Sequence, residues 1–241
     1  MSSADFYDNF ISYQIETGIN DRIRNLYKRV FKTGISQNTN ILEIGCGIGV
    51  LTYLLSRKIR KGRITGIDIS PKSIEYAKTH ITRSNLNFHT SDILDFDPAV
   101  PEFDRILLFD VLEHIQEENH VDLFAKISKW MNNQSLLLIN IPNPNYILFD
   151  QKNNPQALQE TDQPISIASL ANSLDKASLE IEYLETYSVW VKRDYLFLLV
   201  RKRTEFTERS LSADRTFIER IRVRLSRDIV KWIHRYPVKR K

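Results

Sequence analysis

The chain has 241 residues, of which 42% are hydrophobic and 27% charged, close to ordinary globular usage. This length predicts one full α/β domain with an appendage, and the composition argues against disorder of the whole chain. The single cysteine, Cys46, excludes a disulfide framework and a multi-cysteine metal site. We find no apolar run of about 20 residues and no signal-peptide core, which predicts a cytoplasmic protein.

The net charge of +4 is unevenly distributed along the chain. Residues 215–241 contain ten Lys or Arg against two acids, so this tail carries +8 and residues 1–214 carry −4. Any argument from charge for nucleic-acid or membrane binding therefore concerns the tail alone.

Strand-length apolar runs alternate with helix-period segments, which predicts a parallel sheet with helices on both faces. The predicted strands are Asn40–Ile44, Arg63–Ile69, Leu86–His89, Phe103–Phe109, Ser135–Ile141, Leu179–Tyr187 and Tyr195–Arg201. The link between the last two is too short for a crossover helix, so they are predicted to pair antiparallel. The expected fold class is α/β, a Rossmann-like doubly wound and mostly parallel sheet of six or seven strands with an antiparallel final hairpin.

A glycine-rich turn, Glu43-Ile44-Gly45-Cys46-Gly47-Ile48-Gly49, follows the first strand directly. Glycines at such a strand-to-helix turn let a ligand approach the main chain, although a tight turn without ligand is the plain alternative. A dinucleotide fingerprint requires its third glycine at position 50, which is Val50, so NAD and FAD are disfavoured. No Gly-Lys-Ser/Thr follows, which excludes a P-loop.

Two acids follow the next two strands. Asp68, with Ile69 after it, ends the second strand and could accept hydrogen bonds from both ribose hydroxyls of an adenosine, or could simply begin a helix. Asp92 could accept from an adenine amino group with Ile93 against the ring, or could be a turn residue. Both acids and the glycine turn lie at the carboxyl ends of three consecutive strands, where open α/β sheets bind ligands.

Residues 40–141 resemble the core of class I S-adenosylmethionine-dependent methyltransferases. The E-x-G-x-G-x-G turn resembles their first motif, Asp68 their ribose-binding acid and Asp92 their adenine-side acid. The resemblance extends through the final hairpin to about residue 202. It implies S-adenosylmethionine as cofactor and leaves the acceptor unnamed.

The segment Asp110-Val111-Leu112-Glu113-His114-Ile115 resembles a D-V-x-E-H-I segment of small-molecule methyltransferases, including the ubiquinone-biosynthesis O-methyltransferases and relatives in glycan and natural-product pathways. The resemblance implies that Asp110 lies near the cationic end of the cofactor and His114 near the acceptor. An imidazole with a pKa near neutrality suits a general base for a hydroxyl nucleophile. Two alternatives stay open: Glu113 and His114 cap the following loop, or Asp110, Glu113 and His114 share one helical face and hold a divalent cation. We expect no metal.

The domain organisation is predicted in three parts. Residues 1–35 form an N-terminal helical lid or arm, whose aromatics Phe6, Tyr7, Phe10 and Tyr13 either cover the cofactor or pack on the sheet. Residues 36–203 form the Rossmann-like domain, and within it 142–165 form a substrate-side loop with Asn143, Tyr146 and Asp162 as acceptor contacts. Residues 204–241 form a basic amphipathic extension.

The extension carries one apolar stripe on a helical projection of Phe217–Tyr236, flanked by basic residues. Such a helix could pack on its own domain, pair with a second copy, or lie on an anionic membrane. Nucleic acid is not expected as a partner, because the aromatic platform that stacks single strands is absent.

The predicted function is methyl transfer to an oxygen of a small molecule, a sugar or a lipid-linked glycan. The rivals are a non-catalytic cofactor-binding protein and a nicotinamide-dependent oxidoreductase.

Overall fold

The computed structural model describes residues 11–98, 102–158, 162–205 and 216–234. The chain divides into two compact units between Arg203 and Thr204, and each is described by itself. In the first unit the helices are α1 (11–17), α2 (Asp21–Lys32), α3 (Val50–Ser56), α4 (Pro71–His80), α5 (His120–Lys129), α6 (Pro144–Asn153) and α7 (Ile167–Lys176). The strands are β1 (Ile41–Ile44), β2 (Ile64–Asp68), β3 (Leu86–Thr90), β4 (Phe103–Phe109), β5 (Met131–Pro142), β6 (Leu179–Tyr187) and β7 (Tyr195–Lys202).

The seven strands form one sheet in the order β3-β2-β1-β4-β5-β7-β6. The pairs from β3 to β5 are parallel, while β7 pairs antiparallel with both β5 and β6. The predicted Rossmann-like sheet with an antiparallel final hairpin is therefore confirmed. The strand order reverses between β1 and β4, so the crevice above their carboxyl ends is the place where such sheets bind ligands.

Hydrophobic cores cover both faces of the sheet. One contains Ile44, Leu108 and Leu198, and the other contains Ile41, Leu107 and Phe197. All four residues of β1 are buried, as expected for a central parallel strand covered by helices on both sides. This burial fixes where the strands end and therefore where the turns that follow them lie.

Two sequence predictions about local structure need correction. β5 begins at Met131 rather than Ser135, because Met131 pairs with Phe103 of β4 before a shift in register, and Ser135 Oγ donates to the Phe103 carbonyl at 2.6 Å. The segment 142–165 is not a plain loop, since α6 occupies Pro144–Asn153. Asn143 caps that helix by accepting from the Asn145 N–H at 3.0 Å, and Pro144 suits its first turn.

The second unit contains α8 (Phe217–His234), so the predicted C-terminal helix is present, while Tyr236 lies outside the described residues. Four apolar side chains of the predicted stripe are exposed: Ile218, Ile221, Leu225 and Ile229. In the part of the chain that the structure describes, no helix combines the length and the apolar character needed to cross a membrane.

Candidate functional site

A cavity of about 690 Å³ opens at the carboxyl ends of the parallel strands. Its lining includes all but one of the residues predicted to bind a cofactor or act in catalysis. These are Glu43, Gly45, Cys46, Gly47, Asp68, Ile69, Asp92, Ile93, Asp110 and His114. Cavities of this size and place are typical of small-molecule sites in open α/β sheets.

The exception is Gly49, which does not line the cavity. Gly45, Gly47 and Gly49 all have positive φ, at +72°, +53° and +80°. A Cβ on Gly49 would lie 2.8 Å from Ile81, and one on Gly45 would lie 2.2 Å from Val111. Backbone conformation and close packing therefore require these two glycines, whereas Gly47 presents its main chain to the cavity.

Asp68 is tied to the glycine turn. Its carboxylate accepts from the Gly47 N–H at 2.7 Å and from the Ser70 N–H at 2.9 Å. Two main-chain donors hold this carboxylate in one orientation at the edge of the cavity, and each of its oxygens can accept further hydrogen bonds. The acid is thus placed where a ribose diol could reach it.

Glu43 stands beneath the turn and is buried. It accepts from Thr52 Oγ1 at 2.5 Å, which links β1 to α3. Burial, with a smaller contribution from the nearby Asp68, raises the pKa of Glu43 to about 8, so the side chain is largely protonated at neutral pH.

Asp92 and Ile93 follow β3 at the same edge of the cavity. Asp92 Oδ1 accepts from the Leu94 N–H at 2.8 Å, an Asx turn that fits the turn-residue alternative. The carboxylate remains exposed at the cavity and Ile93 is buried beneath it. The Asx turn therefore leaves the Asp92 carboxylate accessible for a contact with an adenine ring.

Asp110 departs from the helical turn considered for residues 110–114. Its φ is +55°, and only Leu112–His114 form a helical turn. Asp110 pairs with Arg22 of α2 and accepts from Asn140 Nδ2 at 2.8 Å. Because Asp110 lies outside the helical turn, the shared helical face is wrong. The described residues contain no group of three ligating side chains placed to hold a metal.

His114 faces the cavity beside Asp162, with its Nδ1 3.3 Å from Asp162 Oδ1. Burial lowers the pKa of His114 to about 4, although Asp110 acts in the opposite direction. The expected pKa near neutrality is therefore wrong for this site, because the imidazole is desolvated. At neutral pH the ring is uncharged and can accept a proton, as a weaker base than an exposed histidine.

Arg22 was missed by the sequence analysis. Burial alone would lower the pKa of Arg22, but the Asp110 carboxylate and Tyr195 raise it above its usual value, so the guanidinium stays charged. It is the sole Lys or Arg among the described residues that line the cavity. No local pattern marks it, since its role depends on α2 meeting the end of β4.

Three cavity-lining side chains carry buried polar atoms without a hydrogen-bond partner: Gln14 Oε1, Arg22 Nε and Glu113 Oε2. Buried polar atoms nearly always have a hydrogen-bond partner in native proteins. Three such atoms without a partner at one cavity therefore indicate a site for a polar ligand. The lining also carries many carboxylates. A polar ligand with cationic groups and hydroxyls, such as S-adenosylmethionine, fits this set of donors and acceptors.

The regions predicted to cover the site contribute to it in part. Tyr13 lines the cavity, while Phe6, Tyr7 and Phe10 lie outside the described residues. Tyr146 and Asp162 also line it. Asn143 does not; besides capping α6, it donates through Nδ2 to the Arg193 carbonyl at 2.8 Å, so its expected acceptor contact is wrong.

The chain is similar in sequence and in fold to known methyltransferases. Residues 41–134 match the family model described as a methyltransferase domain. Over 111 residues the chain is 33% identical to a ubiquinone biosynthesis O-methyltransferase of Pelagibacter ubique, covering 43% of this chain and 42% of that protein. Over 108 residues it is 28% identical to (S)-coclaurine N-methyltransferase of Papaver somniferum, covering 44% of this chain and 30% of that protein.

The chain spans about a third of the length of the first curated relatives it matches. Among solved structures, it is similar to magnesium protoporphyrin IX methyltransferase from Synechocystis with bound SAH. The TM-score is 0.61 at 17% identity, over 81% of this chain and 87% of that one. At this identity the similarity shows a shared fold.

Proposed function

We propose that this chain, whose residues 41–134 match a methyltransferase domain, is a class I S-adenosylmethionine-dependent methyltransferase that transfers a methyl group to an oxygen of a small molecule, a sugar or a lipid-linked glycan. The observation that carries the proposal is one cavity in which a glycine turn, the Asp68 carboxylate and a neutral His114 meet. S-adenosylmethionine supplies, when bound, a methyl group on a positively charged sulfur.

The cofactor side of the cavity would hold that ligand through the turns after β1, β2 and β3. Asp68 accepts from the ribose hydroxyls, and Asp92 accepts from the adenine amino group above Ile93. The ligand can approach the Gly45–Gly47 main chain closely because Gly47 has no side chain of its own; the Gln14 amide lies 3.1 Å from the place where a Cβ on Gly47 would be. Arg22 offers the positive charge that the methionine carboxylate needs, and Asp110 favours the nearby cation.

On the acceptor side, His114 takes up the proton that a hydroxyl loses as it is methylated. Its imidazole is uncharged at neutral pH and stands beside Asp162, which stabilises the imidazolium that forms. An amine acceptor needs less help from a base, so this arrangement favours oxygen. The protein's main contribution is to align the acceptor oxygen with the methyl group.

Calorimetric titration of the purified chain with S-adenosylmethionine, S-adenosylhomocysteine and NADH tests the cofactor. We expect micromolar binding of the first two and no heat from NADH. Asp68→Ala should weaken S-adenosylmethionine binding at least about tenfold, because the ribose loses a charged acceptor. Asp122→Ala, an exposed acid on α5 outside the cavity, is the matched control and should bind normally. A signal from NADH alone would overturn the proposal in favour of an oxidoreductase.

A rival from another class is a protein that binds the cofactor and methylates nothing. It predicts the same calorimetric result and the same effect of Asp68→Ala. A screen of hydroxyl-bearing acceptors with the methyl-labelled cofactor separates the two. Label transfer that depends on His114 supports the enzyme, and tight cofactor binding without transfer to any acceptor supports the rival.

We further propose that the chain works in the cytoplasm, peripheral to a membrane, and that α8 is a contact surface. Ile221, Leu225 and Ile229 are exposed on this helix, and Arg222 and Arg224 are exposed beside them. An exposed apolar stripe flanked by cations suits an anionic lipid surface. Leu225→Ser with Ile229→Ser should lower co-sedimentation of the full chain with anionic vesicles; loss of a dimer instead would indicate self-association.

A further inference from the structure

A second set of exposed apolar side chains lies in the first unit, on two segments that contribute to the cavity lining. It consists of Leu148 and Phe149 on α6 and Trp190 and Val191 in the turn between β6 and β7, and we call these four residues the rim. Their exposed fractions are 51%, 56%, 60% and 47%. Large apolar side chains that are exposed in a group mark interaction surfaces more often than single ones do.

The turn of the rim is held rigidly by Asp194. This carboxylate is buried and accepts from three successive main-chain N–H groups, those of Val189, Trp190 and Val191, at 2.8 to 2.9 Å. The Trp190 ring also meets the Tyr195 ring edge-on at 5.9 Å. A buried carboxylate therefore fixes a turn whose two apolar side chains point outward, so the exposure of Trp190 is built into the fold.

The two parts of the rim are joined at the start of α6. The Asn143 N–H donates to the Asp194 carbonyl at 2.7 Å, and Asn143 Nδ2 donates to the Arg193 carbonyl at 2.8 Å. Ile147 of α6 and Trp190 of the turn both line the cavity. The rim is therefore continuous along the chain with residues of the cavity lining, and Trp190 belongs to both.

Within the described residues of α6 and of the turn between β6 and β7, the exposed charges are cationic. Lys152, Lys192 and Arg193 are exposed. The acids of the same segments, Asp150 and Asp194, are buried at 4% and 1%. Exposed Trp, Phe and aliphatic side chains with exposed cations on the same segments match the interface of an anionic bilayer, where aromatic rings lie at headgroup level and cations meet lipid phosphates.

We propose that the rim docks on an anionic membrane surface, with the cavity opening toward the bilayer so that a lipid-borne acceptor can enter it. A second copy of the chain is the less favourable occupant, because an isologous contact would place the three cations of one rim against those of the other. Binding to the bilayer does not depend on the proposed methyl transfer, so the two can fail separately.

The test uses the full chain and two kinds of vesicle, neutral phosphatidylcholine and a phosphatidylcholine–phosphatidylglycerol mixture. The chain should co-sediment with the anionic vesicles, and less so at high salt. Phe149→Ser with Val191→Ser should weaken this binding about tenfold or more. Lys192→Glu with Arg193→Glu should weaken it by at least about fivefold for each cation lost. Neither Phe149 nor Val191 lines the cavity, so S-adenosylmethionine binding and Tm should be unchanged.

A matched control is Ile167→Ser with Tyr183→Ser, which alters two exposed apolar residues of the same unit outside the cavity lining. Leu225→Ser with Ile229→Ser isolates the contribution of α8. Vesicle binding that Phe149→Ser/Val191→Ser leaves unchanged, or that the Ile167 and Tyr183 pair lowers as much, would overturn the proposal. So would a dimer that the rim variant dissociates without any loss of vesicle binding, which would make the rim an interface between copies.

Discussion

The cavity has two walls that are built differently. The wall formed by the turns after β1, β2 and β3 consists of main-chain groups and acids held within their own turns, such as Asp68 on the Ser70 N–H and Asp92 on the Leu94 N–H. The opposite wall consists of side chains from segments far apart in sequence, such as Arg22 on Asp110 and His114 beside Asp162. The first wall is local in sequence and the second is assembled by tertiary contacts.

The difference concerns which part of the site can vary. A turn whose glycines need positive φ and close packing tolerates few substitutions, so it suits a ligand that stays the same. Side chains brought in by α1, α2, α6 and the turn after β6 can change without altering the sheet. We therefore assign the cofactor to the first wall and the acceptor mainly to the second. Arg22 and Asp110, which we assign to the methionine end of the cofactor, lie where the second wall meets the first, since Val111 next to Asp110 packs against Gly45.

The largest expected effect distinguishes the two walls directly. His114→Ala should lower turnover about 10²- to 10⁴-fold, because the acceptor hydroxyl loses its base, while S-adenosylmethionine affinity stays the same. His80→Ala, which alters an exposed histidine on α4, is the control. Retained turnover in His114→Ala would end the assignment of His114 as base.

The pH profile makes this prediction sharper. Because burial lowers the pKa of His114 to about 4, the imidazole is already uncharged near pH 5. The acidic limb of kcat/KM should therefore fall near pH 4 rather than near pH 6.5, the ordinary histidine value. An acidic limb at about 6.5 that disappears in His114→Ala would show that the ring is more solvated than its burial indicates.

The same division explains what the sequence could predict. The strands from Phe103 to Phe109 and from Leu179 to Tyr187 and the antiparallel hairpin follow from apolar runs and link lengths, which are local. The positions of Asp68 and Asp92 after neighbouring strands can be predicted from the same local features. Arg22 is different, because nothing around it indicates that α2 meets Asp110. The lowered pKa of His114 depends on burial by distant segments, which residue spacing does not contain.

Glu43 is the buried side chain beneath the glycine turn of the first wall, and its titration should be visible in the stability of the protein. The pKa of its carboxyl rises from 4.5 to about 8 in the folded chain, mainly through burial. The folded protein thus binds this proton more tightly than the unfolded chain does. Its stabilising contribution is complete below about pH 4.5 and is lost as the pH rises through about 8.

Glu43→Gln keeps the shape and the acceptor for Thr52 but removes the titration. The total decline of stability between pH 4.5 and about 8 should become smaller, by about 5 kcal/mol at most, since one pKa unit corresponds to about 1.4 kcal/mol. Tm measured across this range is the readout. Glu75→Gln, on the exposed side of α4, should leave the slope unchanged. A slope that survives in Glu43→Gln would mean that another group titrates.

Arg22 joins the two walls, so its removal should affect both stability and binding. Arg22→Ala leaves the Asp110 carboxylate without its cation and should cost about 2 kcal/mol of unfolding free energy, with weaker S-adenosylmethionine binding. Denaturant unfolding and calorimetry measure the two effects. Arg24→Ala removes an exposed pair with Asp21 and should change stability by less than about 1 kcal/mol. Equal effects of the two variants would show that Arg22 adds nothing beyond a surface charge.

The smallest expected effect concerns how Asp110 is held in its left-handed conformation. Tyr187 Oη donates to Asn140 Oδ1 at 2.7 Å, and Asn140 Nδ2 donates to Asp110 Oδ1 at 2.8 Å. Tyr187→Phe leaves the buried Asn140 oxygen without this donor and should cost about 1 kcal/mol in denaturant unfolding. Tyr183→Phe, on the same strand, removes only an exposed bond to Glu185 and should be nearly neutral. If Tyr187→Phe also weakens S-adenosylmethionine binding, the final hairpin helps to place the acid at the junction of the two walls. If both variants are neutral, Arg22 and Asn140 hold Asp110 without help from β6, and the junction belongs to β4, β5 and α2 alone.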